Sequence, residues 1–269
     1  MSTQRVPLEV LQKIRQHLRS ALVVPESENH PNLYNNMDEP PKPDSLEELG
    51  SLFHFGSSLD ETLQMPNNQG RWFISATNPG AVLVTLPSIK LKPDFRLVTY
   101  LFRLGEDGTG VTWALPESCS TTSHLEKALL TASGRDNPPQ PEGALTDLME
   151  AIDGDHSPRS FVIASLLRRE LRELGKMGKV ADWVHHRLID ALPDSANWQW
   201  RTEPPKDFSP KVRVSEGRAA IEFFTCRVTA PIVIFQHVDQ YVVGQYQAKH
   251  LDRPLAINRT PALNGKKPI

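Results

Sequence analysis

Apolar side chains near the start of the chain recur at steps of three and four positions. Between positions 7 and 23, polar side chains fall on the opposite side, and Pro7 suits the first turn of a helix. The spacing predicts an amphipathic helix with an apolar stripe of Leu8, Leu11, Ile14, Leu18 and Leu22. Such a stripe is buried either in the core of the protein or against a partner protein or a membrane surface.

The stretch 24–45 is polar, rich in proline and without periodicity. This composition is typical of a linker that does not fold by itself. We therefore expect positions 1–45 to be a helix on a flexible linker, and positions 46–250 to form a single α+β domain. A short helix is predicted at 45–49, ended by Gly50.

Two blocks rich in β-branched and aromatic residues flank the middle of the chain. The first block, 70–115, predicts strands at 71–76, 81–86, 89–91, 97–104 and 111–115. The second block, 198–250, predicts strands at 198–200, 211–214, 219–228, 232–238 and 241–247. Turn residues separate the strands, which favours antiparallel pairing. The remaining tail, 251–269, has no periodicity and is expected to be extended or disordered.

The segment 123–192 has the spacing of helices, which are predicted at 123–132, 144–152, 158–174 and 179–192. Ser157 as N-cap and Pro158 at the first helical position give the third helix a clear start. Its charged second half, 168–173, is expected nearer to solvent than its apolar first half. The order of strands, helices and strands predicts an α+β fold with two antiparallel strand-rich blocks separated by a helical segment. A doubly wound parallel sheet would instead alternate strands with helices.

Composition excludes several classes of protein. The 269 residues are 39% hydrophobic and 23% charged, and a net charge of −2 creates no overall field that attracts nucleic acid or anionic lipid. The two cysteines, Cys119 and Cys226, cannot form a disulfide framework or a CxxC zinc site. The N-terminal sequence lacks the apolar core of a signal peptide, and no apolar run approaches the ~20 residues of a membrane span. We expect a soluble, cytoplasmic protein.

The common catalytic motifs are absent from the sequence. No phosphate-binding GxxxxGKS or GxxxxGKT loop, GxGxxG turn, GxSxG elbow or HExxH pair occurs. These absences weaken assignment to the common nucleotide-binding enzymes, serine hydrolases and zinc peptidases. The sequence therefore predicts no assigned catalytic residue, no metal ligands and no cofactor.

The best polar constellation lies in the predicted helix 179–192. Asp182, His186 and Asp190 follow one another at steps of four and so share one face, with His185 beside them. A carboxylate four residues from an imidazole can orient the ring or share a metal ion with it. An enzyme with a metal or acid–base site around Asp182, His185 and His186 is therefore one alternative function.

Two large side chains belong to the apolar side of the same predicted helix. Arg187 projects near the centre of that side, and a buried guanidinium must be paired unless the face lines a groove. Trp183 borders the face, where it either packs in the core or stacks on a ligand. Both residues are candidates for binding.

Basic residues cluster at the end of the predicted helix 158–174. Arg168, Arg169 and Arg172 lie there, with Glu170 and Glu173 interleaved. A surface that binds phosphates is normally less neutralised than this. Nucleic-acid association through the three arginines is therefore a second alternative function.

The segment 157–212 carries a recognisable succession of motifs. A Ser-Pro helix start, an Ala-Ser-Leu helix, a Leu-Gly break and a Trp-His helix precede a strand block rich in tryptophan. The segment, about a fifth of the chain, resembles a family of uncharacterised cyanobacterial proteins. The resemblance implies a compartment without disulfides and implies no activity.

The sequence as a whole favours a non-catalytic accessory or scaffold protein that mediates protein–protein interaction in a larger assembly. The expected partner is another protein or protein complex. The expected contact surface is the apolar stripe of the first helix, with Leu11, Ile14, Leu18 and Leu22. Trp183, Arg187 and the arginine cluster are the further candidates for binding.

Overall fold

Two antiparallel sheets of unequal size enclose the longest of the described helices between them. The structure, a computed structural model, describes residues 2–29, 70–194 and 197–258. Antiparallel sheets combined with helices confirm the predicted α+β class. Within the described ranges, no helix is long and apolar enough to cross a membrane.

The elements are numbered in chain order. The strands are β1 (Ser2–Arg5), β2 (Trp72–Ile74), β3 (Ile89–Leu91), β4 (Phe95–Leu104), β5 (Asp107–Pro116), β6 (Ile152–Gly154), β7 (His186–Ile189), β8 (Trp198–Trp200), β9 (Lys211–Ser215), β10 (Arg218–Arg227), β11 (Val233–Val242) and β12 (Ala248–Asn258). The helices are α1 (Leu8–Ala21), α2 (Glu26–Asn29), α3 (Ala81–Val84), α4 (Thr122–Leu129) and α5 (Pro158–Glu173). Short 3-10 turns occur at Glu117–Cys119, Leu148–Ala151, Gly178–Val180 and Trp183–His185.

The larger sheet has seven strands in the order β1-β9-β10-β11-β12-β8, with β7 beside the second half of β10. At its centre β10 and β11 pair over ten residues, so that Phe223 lies opposite His237. Successive side chains of a strand point to opposite faces of the sheet. One set, which includes Phe223 and His237, faces α5. The smaller sheet, β2-β4-β5, packs against the other side of α5, and β3 pairs with β6.

Helix α5 begins where the sequence predicted. The Ser157 side chain accepts a hydrogen bond from the Ser160 N–H at 3.2 Å, and Pro158 occupies the first turn. Twelve of its sixteen residues are buried because sheets cover it on two sides. The expectation of a solvent-facing second half is wrong, since Arg168, Arg169 and Glu170 are buried as well.

Helix α1 is part of the core rather than a tethered element. Leu11, Leu18 and Leu22 are buried in the main hydrophobic core, and Leu8 and Ile14 pack against its margin. Strand β1, which precedes the helix, pairs with β9 in the larger sheet. The predicted helix is confirmed, but its stripe is not a surface left free for a partner. The linker interior and the predicted helix 45–49 lie outside the described residues.

The predicted helix 179–192 is wrong. Two 3-10 turns span Gly178–Val180 and Trp183–His185, and strand β7 follows. In β7 buried and exposed side chains alternate from His186 to Leu188, which is the period of a strand paired with β10. Gly178, at φ +63°, starts this segment with a backbone conformation that glycine adopts easily.

Other predicted boundaries also change. The predicted strand 81–86 contains helix α3, and the predicted helix 144–152 is reduced to one 3-10 turn before β6. The strand predicted at 232–238 continues to Val242 as β11, whereas 243–247 of the strand predicted at 241–247 form a turn and loop. The predicted tail is corrected too, because 251–258 belong to β12, whose Leu255 and Ala256 are buried.

Candidate functional site

Two of the residues proposed for an acid–base site meet in the structure. The Nε2 atom of His186 lies 3.6 Å from Oδ2 of Asp182. The contact arises because the chain turns through a 3-10 turn between them, and not from the spacing of an α-helix. Asp182 is 60% exposed, His186 is buried, and Arg227 donates to the second oxygen of Asp182 at 3.3 Å.

A row of buried hydrogen bonds continues from His186 into the larger sheet. His186 Nδ1 lies 2.8 Å from the hydroxyl of Thr225, and the same hydroxyl lies 2.8 Å from Nε2 of His237. His237 Nδ1 in turn lies 2.7 Å from Oδ1 of Asp252, which is 45% exposed. We name the five residues Asp182, His186, Thr225, His237 and Asp252 the relay.

The acceptor at one end and the neutral form of His237 fix the direction of every hydrogen bond in the relay. The carboxylate of Asp252 only accepts, so His237 donates from Nδ1. Burial lowers the pKa of His237 and so favours the neutral ring, whose Nε2 accepts from the Thr225 hydroxyl. Thr225 oxygen then accepts from His186 Nδ1–H. Neutral His186 therefore has a lone pair on Nε2, and this atom is enclosed without a hydrogen-bond partner.

Arg169 binds the two carboxylates near His237. It donates to both oxygens of Asp239, at 2.5 and 3.0 Å, and to Asp252 at 2.7 Å. Burial opposes the charge of Asp239, but the hydrogen bond from His250 and the charge of Arg169 outweigh it and lower the pKa of Asp239. Burial likewise opposes the charge of Arg169, yet Asp239 and Asp252 raise its pKa. Both partners are therefore held in their charged forms.

Trp183 covers His186 and links it to α1. Its ring lies 5.3 Å from the ring of His186, and the guanidinium of Arg15 stacks on it at 4.4 Å. The Nε1–H of Trp183 and the Nε–H of Arg15 both donate to Oε1 of Glu170 at 2.7 Å. Arg15 also donates to the backbone carbonyls of Trp183 and His186. These bonds connect α1, α5 and the start of β7.

A cleft of about 740 Å³ opens between α1 and β7. We name it the arginine cleft, after Arg15, Arg19 and Arg187, which line it. Other polar lining comes from Gln12, Gln16, Ser20, His185 and His186, and apolar lining comes from Val184, Leu188 and Val228. Within the described part of the chain, no carboxylate lines this cleft, and no ion pair engages Arg187.

The structure separates the remaining candidates. Arg187 is exposed in the cleft rather than buried on an apolar helix face, because β7 is a strand. His185 lines the cleft but does not join the relay. The predicted arginine patch does not form, since Arg168 and Arg169 are buried and Arg172 alone is exposed. Burial and the neighbouring charge of Arg172 lower the pKa of Arg168 to about 10.

Sequence analysis missed the partners supplied by the larger sheet. His237 and Asp239 lie two positions apart on β11 and therefore share one face of the strand. His250 and Asp252 are related in the same way on β12. Alternating polar residues on the covered face of an otherwise apolar strand are a signal for a buried polar network. Arg15 was missed because it lies beside the apolar stripe of α1, where long basic side chains are usually solvated.

Metal ligation is not supported by the described residues. Within them, no group of three or more histidine, cysteine, aspartate or glutamate side chains is arranged to hold a metal ion. Asp239 and Asp252, the carboxylates nearest the histidines of the sheet, are engaged by Arg169 instead.

Comparison of the chain with models of protein families, with curated proteins and with solved structures finds no match. The resemblance of 157–212 to a cyanobacterial family therefore stays a prediction. Interpretation of the site rests on its own geometry.

Proposed function

We propose that this protein is a cytoplasmic, non-catalytic accessory protein that binds an acidic segment of another protein in the arginine cleft. One observation carries the proposal: three arginines line a concave surface that contains no carboxylate among its described lining residues. A cleft of this volume is in the range of ligand sites. The two free cysteines, Cys119 and Cys226, agree with a reducing compartment.

The charges of the cleft are only partly balanced. Glu170 lies behind the cleft, 2.7 Å from Arg15 and 3.8 Å from Arg19, and supplies one negative charge to both. The charge of Glu173 also acts on Arg15, whereas Arg187 has no ion pair among the described residues and leaves a positive charge unbalanced. Carboxylates of a partner would find complementary charge here, which favours encounter and orientation.

The rest of the lining suits a polypeptide better than a bare anion. Val184 and Val228 are exposed at the cleft, where they offer apolar contact. The amides of Gln12 and Gln16 can both donate to and accept from a peptide backbone. An acidic segment that also carries aliphatic side chains would use all of these groups.

An acid–base enzyme ranks second among the proposals. The contact between Asp182 and His186 favours it, since this is the pair that the sequence singled out. However, His186 is 4% exposed and its Nε2 atom is enclosed, so a substrate has no access to the lone pair. General base catalysis requires that the base reach the proton that it removes.

Fluorescence anisotropy with a short labelled peptide of alternating glutamate and leucine tests the proposal. We expect saturable binding that weakens as salt is added, no binding of the same peptide with lysine for glutamate, and at least tenfold weaker binding by Arg187→Glu. Arg172→Glu is the matched control, because Arg172 is exposed outside the cleft and its reversal should leave affinity unchanged.

Two outcomes would overturn the proposal. The first is the absence of peptide binding, or equal binding by Arg187→Glu and the unmodified protein. The second is tighter binding of a single-stranded oligonucleotide that Arg187→Glu abolishes, which would replace the protein partner by nucleic acid.

A further inference from the structure

We infer that binding in the arginine cleft is linked to a proton: His186 takes up a proton at Nε2 when an acidic segment occupies the cleft. This inference rests on the proposed function and names how the same site is regulated. The new N–H bond forms with a proton from solvent that reaches Nε2 through the exposed carboxylate of Asp182, 3.6 Å away, and the resulting imidazolium pairs with Asp182. His186 lines the cleft, so its charge adds to the attraction for an acidic ligand.

The relay leaves a single place for the added proton. His186 already donates from Nδ1 to Thr225, and Thr225 donates onward to His237. His237 has a proton on Nδ1 for Asp252 and uses Nε2 as an acceptor. Both of its nitrogens are therefore committed, whereas Nε2 of His186 is enclosed and without a hydrogen bond. A proton there completes the row without reversing any bond.

Charged groups around His186 act in opposite directions on its protonation. Asp182 favours the charged ring from 3.6 Å, and Arg15 of α1, Arg227 of β10 and His237 of β11 oppose it. Glu170 of α5 partly compensates Arg15. Carboxylates placed in the cleft would offset the positive charge of Arg15, the cleft arginine that opposes the charged ring, and so remove part of the opposition.

The direction of the effect follows from burial. Burial lowers the pKa of His186 to about 4, so the ring is neutral near pH 7 while the cleft is empty. A nearby negative charge raises the pKa of a histidine. Affinity for an acidic ligand should therefore rise as the pH falls from 7 towards 5, by at most about tenfold per pH unit for one proton.

The test uses a peptide of alternating cysteic acid and leucine, because sulfonates keep their charge throughout this pH range. Affinity is measured at pH 7, 6 and 5, and calorimetry in two buffers of different ionisation enthalpy counts the protons taken up. We expect tighter binding at lower pH and net uptake of protons. His186→Gln, which cannot be protonated, should lose this pH dependence. The matched control, His124→Gln on the exposed side of α4 and outside the cleft, should keep it.

A measurement on the unmodified protein guards against misfolding of the His186 variant. Nitrogen-15 NMR of the imidazole rings should show His186 as the neutral Nδ1–H tautomer without peptide, and with protons on both nitrogens in the complex near pH 5. Binding without proton uptake, or with His186 still neutral, would overturn the inference and leave the proposed function intact. Absence of binding at every pH would overturn both.

Discussion

Arg169 and Asp239 form a two-point ion pair inside the protein, with Nη1–Oδ2 and Nη2–Oδ1 distances of 2.5 and 3.0 Å. The pair joins α5 to β11, which are about seventy positions apart in the chain. Arg169 also stacks on Phe223 at 4.9 Å. These contacts of Arg169 fix the position of α5 on the larger sheet. They also support the histidines of the relay, since Arg169 donates to Asp252, the partner of His237.

Removal of one charge from this pair should be costly. Asp239→Asn keeps the shape of the side chain but leaves Arg169 without its closest partner, and breaking a buried pair in this way costs ~3–5 kcal/mol. Asp252→Asn should cost less, because Asp252 is partly exposed and Asp239 remains to pair with Arg169. Urea denaturation of the two variants measures the difference. Equal losses would show that Asp239 is not the main partner.

Helix α1 should behave as core. Leu18 is fully buried, and Leu18→Ala should lower the free energy of unfolding by ~2–5 kcal/mol. Val10→Ala on the same helix is the control, since Val10 is 41% exposed and its truncation should change stability by less than ~0.5 kcal/mol. Similar small effects from both would restore the hypothesis of a helix that is free for a partner.

The case of α1 shows what periodicity can and cannot predict. The spacing of Leu11 and Leu18 identified the helix and its apolar face correctly. It did not say what covers the face, because that depends on contacts with α5 and on the pairing of β1 with β9, which are distant in the chain. Burial by the protein's own core and burial by a partner leave the same pattern.

The sequence predicted some residues of the candidate site, Asp182 and His186, but not how they come together or which residues join them. Asp182 and His186 were selected by a helical spacing that the chain does not adopt, and they meet through a turn instead. Arg187 lies in the cleft and not in the core as predicted, because side chains on a strand point alternately to its two faces, unlike those on a helix. Thr225 carries no motif at all, and only its place on β10 gives it a role.

Thr225 should be necessary for the relay. Thr225→Val keeps the shape and suits a strand but leaves His186 Nδ1–H and His237 Nε2 without a partner, at a cost of ~1–3 kcal/mol for each buried group. Thr225→Ser keeps the hydroxyl and should lose only about 1 kcal/mol, the value of one methyl group. Thermal melting of both variants gives the comparison. A valine variant as stable as the serine variant would contradict the hydrogen-bonded row.

Mild acid should destabilise the protein through His186. An ordinary histidine, with a pKa of 6.5, takes up a proton in the unfolded chain, whereas burial lowers the pKa of folded His186 to about 4. The unfolded state then binds more protons between these values, so the free energy of unfolding falls as pH drops from 6.5 to 4, by up to about 3 kcal/mol. Burial lowers the pKa of His237 as well, so His186→Gln should remove only part of this slope. Asp239 and Asp252, whose pKa values are lowered, lose their contribution mainly below their ordinary value of 3.8, so they add to the slope only at the acid end of this window. Urea denaturation at a series of pH values measures the slope, and an unchanged slope in His186→Gln would show that His186 is not a buried neutral ring.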